Sequence, residues 1–312
     1  MRRGGGFVLV CVLWVLAILT VLTVGFGNRA RLDRRAAAYS LDRTQAMLMA
    51  RGAVQRGIVE LRNKVFNDAL KEEGPITHLG QPWATTKNML EDTQYFEVGE
   101  DFKKDGVWYY IEDMERRIDL NSANGKLLKE IPSLHPGALR ALTKRRSEGV
   151  HDGEGSAPYQ AIEELRYMDD VSEDDWFGTQ RKPGLRHLVT IQGTSRVNVN
   201  TASAEVLSCI PKLGDKTVEL ILSHRVGDDG ELGTSDDKGF KNQQHLVTIL
   251  DVHGDDPLYA LAAYCKFTSV AFKIRGIATR RGGTVRATCT AIVTVRDNQA
   301  RVVHWQEDAL GA

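Results

Sequence analysis

The chain has 312 residues with 41 basic and 41 acidic side chains, long enough for two packed units plus an anchor and without a net charge that would draw it to nucleic acid or an anionic surface. Its four cysteines (Cys11, Cys209, Cys265, Cys289) are too few for a disulfide framework, and no CxxC pair offers a zinc site. With Cys11 in an apolar run, the other three allow at most one intrachain disulfide, and sequence does not choose the pair.

The N-terminus reads Met1-Arg2-Arg3-Gly4-Gly5-Gly6, and residues 7–27 then run without a charge. Those residues match the roughly 20 apolar positions a helix needs to cross a bilayer. A cleaved secretory signal has a shorter apolar core, about 7–15 residues, with a small-x-small site directly after it. Here the small cluster Ala36-Ala37-Ala38 lies beyond Arg29, Arg31, Arg34 and Arg35. Counting flanking basic residues alone leaves the body in the cytoplasm. However, a short basic leader ending in glycine, followed at once by Phe and a long apolar helix, resembles a type IV prepilin leader. The resemblance implies cleavage after Gly6 by a prepilin peptidase, methylation of the new N-terminal Phe7, and a body in the periplasm.

The helix is predicted to continue past the membrane. Between Leu32 and Val65, apolar residues recur at Leu41, Leu48, Val54, Ile58, Leu61 and Val65, small residues stand at Ala36, Ala37, Ala46, Ala50 and Ala53, and there is no proline before Pro75. This reads as one amphipathic face for a core. After turn signals at Gly74-Pro75 and Gly80-Gln81-Pro82-Trp83, two strand-like runs (Tyr95 to Val98, Val107 to Glu112) predict a hairpin. Three further strands are predicted over 267–278, 284–296 and 301–306, separated by Arg281-Gly282-Gly283 and Asp297-Asn298-Gln299. The runs 95–116 and 266–306 are expected to form one sheet against the N-terminal helix.

Between them lies an internal repeat. Arg117 to Arg146 aligns without gaps on Arg196 to Arg225, with identities at Arg117/Arg196, Asn121/Asn200, Ala123/Ala202, Leu128/Leu207, Ile131/Ile210, Pro132/Pro211, Leu134/Leu213 and Arg146/Arg225. Each copy predicts a short strand, an N-cap at Ser122 or Thr201, a helix ending before Ile-Pro, and a second helix. The unit resembles a helix-hairpin-helix module, so the rival function is a membrane-anchored DNA-binding protein of a DNA uptake system. Two features oppose it. The hairpins Ser133-Leu134-His135 and Lys212-Leu213-Gly214 lack the paired glycines that bring backbone N–H groups to a phosphate. Residues 118–265 carry 16 Lys or Arg against 23 Asp or Glu, which would repel a nucleic-acid backbone. No nucleic-acid partner is expected.

Catalytic signatures are missing from the sequence: no HExxH, no GxSxG and no GxxxxGK. The chain is therefore read as structural rather than enzymatic. In the glycine-rich loop 227–239, the carboxylates Asp228, Asp229, Glu231, Asp236 and Asp237 could wrap a hard cation. The run Asp169 to Asp175 is read as a solvated helix start.

Taken together, the prepilin leader, the stretches Ile111-Glu112-Asp113 with Arg117 to Asn121 and Val197 to Ala202, and the final Val303 to Glu307 strand resemble the minor pseudopilin K family of type II secretion systems. The resemblance implies an α+β fold: a type IV pilin-like long N-terminal helix packed on an antiparallel sheet, with a large inserted helical domain containing two helix-hairpin-helix-like repeats. It implies a leader (1–6), a transmembrane helix (7–27), a pilin-like domain in two parts (28–117 and 266–312) and an inserted domain (118–265). It further implies a place at the tip of a periplasmic pseudopilus, partners among minor pseudopilins I and J, an inner-membrane anchor, and calcium in the inserted domain. The fifth residue after the expected cut is Cys11, where most members of the wider pilin family carry glutamate.

Overall fold

The computed structural model describes residues 5–70, 75–84, 105–148, 158–296 and 299–311. Helix α1, Gly5–Ala69, spans 65 residues, about 100 Å at 1.5 Å per residue. Its second half buries Ala46, Ala50, Val54, Ile58 and Leu61, a helical repeat of small and medium side chains, against a sheet.

That sheet has four antiparallel strands in the order β1 (Gly106–Asp113), β2 (Ala271–Arg280), β3 (Val285–Arg296), β4 (Gln299–Gly311). Ile111 pairs with Ile274, and Ala291 lies between Ile274 and Trp305, so alternate residues face α1. The sheet meets the helix closely because both surfaces are small. A Cβ on Gly276 would run into the Ala50 carbonyl oxygen, and one on Gly57 would lie 2.6 Å from Ile274 Cγ2. Trp83 plugs one end of this core, 5.4 Å from the Phe272 ring, with its indole N–H donating to Gln81.

A second core is made of residues from Ile118 to Cys265. Its main helices are α2 (Gly125–Lys129), α3 (Pro136–Glu148), α4 (Glu173–Phe177), α5 (Leu185–Leu188), α6 (Ala204–Ser208), α7 (Asp215–Arg225), α8 (Gln243–Leu250) and α9 (Asp255–Tyr264). The repeat is visible in the coordinates. Ile118–Asp119 pairs in parallel with Val189–Thr190, as Val197–Asn198 does with Cys265–Lys266. Helices α2 and α3 of the first copy correspond to α6 and α7 of the second.

The expected caps are corrected by two residues. Asn124 accepts from the Lys126 N–H and Ser203 from the Val206 N–H, so these are the N-caps. Ser122 and Thr201 lie two residues earlier and donate to Asp119 and Asp113. Leu41 and Leu48, expected on the packed face of α1, are exposed instead. Asp175, expected in a solvated helix start, does lie at one, paired with its cap Ser172, but is buried against Lys182 and His135. The predicted strand Tyr95 to Val98 lies outside the described residues.

Where the chain leaves the sheet and returns to it, a buried polar knot joins the two cores. The Asp113 carboxylate accepts from Asn198 Nδ2 (3.0 Å), Thr201 Oγ1 (2.6 Å) and Ser269 Oγ (2.6 Å). Beside it, Lys266 Nζ donates to Glu115 at 2.6 Å. Each such buried group is satisfied only while the helical unit sits in this one place on the sheet.

Candidate functional site

Two places carry the function-bearing residues read from sequence, the start of α1 and the acidic loop; the structure adds a third, the outer face of α1. Gly6 lies in the first turn of α1 and Phe7 is 77% exposed. The apolar first half of the helix contacts nothing in this chain; its most apolar window has a mean hydropathy of 2.7 and no buried residue. It is the one helix among the described residues long and apolar enough to cross a membrane.

Past the span, α1 has two apolar faces. One packs on the sheet. On the other stand Leu41, Leu48, Val59 and Phe66, between 44% and 65% exposed. Their spacings of 7, 11 and 7 residues place them within about 20° of one line along the helix. The buried Ala50 and Leu61 lie roughly opposite. Gly52 falls on the same exposed line with open space over it. A stripe of this kind is the surface a second helix could cover. Sequence reasoning missed it by merging Leu41 and Leu48 with the core face; the 7- and 11-residue spacing was the signal that separates them.

In the acidic loop the five carboxylates do not converge. Among the described residues no group of three or more His, Cys, Asp or Glu is placed to hold a metal ion. Asp236 is used by the loop itself, accepting from the N–H groups of Asp228 (2.7 Å) and Asp229 (3.1 Å) and from Thr234 Oγ1 (2.6 Å). These hydrogen bonds hold its carboxyl well below the usual carboxylate range. Asp228 pairs with Lys238 at 2.7 Å, and Asp229 accepts from the Glu231 N–H. Asp237 is buried. Its Oδ2 accepts from the Gly233 N–H at 2.7 Å, while Oδ1 is buried without a hydrogen-bond partner. Burial pushes the Asp237 carboxyl up, against the Gly233 hydrogen bond and the Arg225 guanidinium. Asp237 Oδ1 is a hard oxygen donor left open to a cation, and the other four carboxylates do not stand around it.

Each hairpin turns its leucine into the core and leaves His135 or Lys212 and Gly214 at the surface. Ser133 is buried and donates to the Pro183 carbonyl, and Leu134 and Leu213 belong to the core. Lys212, at φ 67°, pairs with Asp256 at 2.8 Å. The leucines and Ser133 of these loops are used for packing within the unit. The four cysteines are free, three of them buried.

No family model and no curated protein matches the sequence. Among solved structures, the chain is similar to a chain of the crystal structure of the GspK-GspI-GspJ complex from the enterotoxigenic Escherichia coli type 2 secretion system. The identity is 15%, the TM-score 0.55, and the match covers 90% of this chain and 99% of that one. The fold is therefore α+β and pilin-like, with a GspK-like architecture.

Proposed function

We propose that this chain is a minor pseudopilin of a type II secretion system, a structural subunit rather than an enzyme. The observation that carries the reading is the architecture. A helix whose apolar half contacts nothing in its own chain runs into a pilin-like sheet interrupted by a two-repeat helical unit. The likeness over nine-tenths of the chain supports that arrangement. The span anchors the chain in the inner membrane and the body stands in the periplasm, after cleavage between Gly6 and Phe7 by a prepilin peptidase and methylation of Phe7. The partners are minor pseudopilins I and J, whose own anchor helices cover the Leu41, Leu48, Val59, Phe66 stripe.

The tip position is supported by Cys11. A carboxylate in the bilayer needs a partner, and a first subunit has no predecessor to supply one, so an uncharged residue costs nothing there. Calcium in the inserted unit is supported by Asp237, whose unpartnered oxygen would be its first ligand, with Asp228, Asp229, Glu231 and Asp236 within the same loop. The ion would neutralise the loop and tie its ends together.

The test is expression of the full chain in a cell with a working type II system. The mature protein is expected to begin at methylated Phe7 and to co-purify with minor pseudopilins I and J. An N-terminus anywhere else, or a chain that purifies without either subunit, overturns the reading.

A further inference from the structure

The outer face of the sheet, turned away from α1, forms the floor of a cavity of ≈ 500 Å³ walled by the helical unit, a size that takes a small ligand or a few residues of extended chain. The cavity is half-open to solvent along the cleft between the two cores. Lys273 and Arg275 alternate along β2 with the core residues Phe272 and Ile274, so both point into it. Glu112 lies directly across the strand pair from Lys273. It is already held by Arg117, whose guanidinium is 2.7 Å from its carboxylate. Arg117, Lys273 and Arg275 stand here with Glu112 on the same sheet face and Glu163 on the wall, and Asp308 acts on Arg275 from the far strand. Among the described residues Lys273 makes no hydrogen bond or ion pair, and it is half-buried on the cavity floor. An ammonium in that position keeps only part of its hydration shell and has no hydrogen-bonded partner to replace the rest. Burial pushes it down and Glu112 only offsets this. Thr290 adds a hydroxyl and Ile292 an apolar surface beside it.

We propose that this cavity binds a carboxylate carried by an acidic peptide segment, with Lys273 as its principal contact. The carboxylate supplies the missing partner of the ammonium, and the open cleft lets the chain that bears it continue out on either side. Neutral segments supply no such partner to Lys273.

The experiment uses the full-length chain in detergent micelles and fluorescence anisotropy of a labelled acetyl-Asp-Glu-Asp-Glu peptide, with its Asn/Gln counterpart as control and succinate as competitor. The acidic peptide is expected to bind saturably and the neutral one not. Lys273→Met should weaken binding about tenfold or more, and Lys273→Arg should retain it. Thr290→Glu, which puts a built-in carboxylate on the floor opposite Arg275, should weaken binding to a similar degree, and it decides the matter if Lys273→Met does not fold. Equal binding of the two peptides, no binding of the acidic one, or undiminished affinity in folded Lys273→Met or Thr290→Glu overturns the proposal. Binding of succinate without binding of the peptide overturns the peptide assignment and makes the site one for small dicarboxylates.

Discussion

Asn200 and Phe240 clasp each other by two hydrogen bonds: Asn200 Nδ2 donates to the Phe240 carbonyl at 2.9 Å, and the Phe240 N–H donates to Asn200 Oδ1 at 2.8 Å. The first copy of the repeat makes the same clasp between Asn121 and Tyr159, at 3.1 and 2.9 Å. In each copy the side-chain amide stands in for one peptide of a strand, tying the start of the motif to a segment some forty residues on. The arginine that ends each copy closes the same knot, Arg146 donating to the Ala123 carbonyl and Arg225 to that of Ala202. Asn200→Ala leaves a buried N–H and carbonyl unpaired and is expected to cost about 3 kcal/mol, from roughly 1–3 per orphaned group. Thermal melting of the full chain in detergent checks this; a loss under half that size would mean water or a rotated neighbour takes over the clasp.

These clasps explain which identities survive between two copies that otherwise diverge. The side chains of Asn121/Asn200 and Arg146/Arg225 meet backbone, which is the same whatever the neighbouring side chains are. The repeat was therefore legible in sequence, as were the strands near 107–112, from aromatic and β-branched residues, and 284–296, where alternation is strong. The true caps were not, because Asn-Ser-Ala-Asn and Asn-Thr-Ala-Ser each offer two capping side chains and only tertiary bonds to Asp119 and Asp113 decide between them. The two faces of α1 were blurred because a period of 3.6 read over a helix with apolar residues on opposite sides gives one broad stripe. The cavity around Lys273 could not be read at all, since it depends on strand register between residues more than 150 positions apart.

The exposed stripe on α1 should matter for assembly and not for folding. Leu48→Glu with Val59→Glu changes solvent-facing positions, so the melting temperature of the isolated chain should stay within the small range typical of surface substitutions, about ±0.5 kcal/mol each. Recovery of minor pseudopilins I and J, the partners proposed above, should fall sharply. If the double variant co-purifies with them as wild type does, the stripe is not the contact.

The helix–sheet contact makes the opposite prediction. Gly276→Val places a branched side chain where the Ala50 carbonyl and Ala53 Cβ already sit. Overpacking of this sort costs about 1–3 kcal/mol, and here it should also lever α1 off β2. Hydrogen exchange is the discriminating measurement: faster exchange over residues 46–61 with the helical repeat unchanged is expected, and uniform loss of protection across both cores would contradict a local effect.

Acid should find Glu112. Burial pushes its pKa up, but Arg117, then Lys273, Arg116 and Arg275, outweigh burial and hold it at about 2, against 4.5 for the free side chain. A folded pKa below the unfolded one gives stability that is fully present above about pH 4.5 and drains away as pH falls toward 2. The shift corresponds to about 3 kcal/mol. Denaturant midpoints measured from pH 6 down to pH 2.5 should fall for wild type, and Glu112→Gln should begin lower and fall less steeply. Parallel curves would assign the acid sensitivity to other carboxylates.

The acidic loop gives the sharpest test of a metal. Asp236 already holds the loop together without one, through the Asp228 and Asp229 N–H groups and Thr234, so Asp236→Ala should lower stability both with calcium and with chelator. Asp237 differs. Only one of its oxygens is engaged within the loop, and the other is buried without a partner. Asp237→Asn keeps an acceptor for the Gly233 N–H but removes the charge a hard cation requires. Wild type should gain stability with free calcium, by about 2.7 kcal/mol at a hundredfold excess over the dissociation constant. Asp237→Asn should lose most of that gain while melting in chelator close to wild type, or slightly higher because a buried, upshifted carboxylate has been replaced by a neutral amide. The measurement is a thermal melt of the full chain in calcium, in magnesium and in chelator. A wild-type midpoint that is the same in all three would mean that the loop is closed by its own hydrogen bonds and the Lys238–Asp228 ion pair alone, and that Asp237 tolerates its unpartnered oxygen as the cost of packing beneath Gly80.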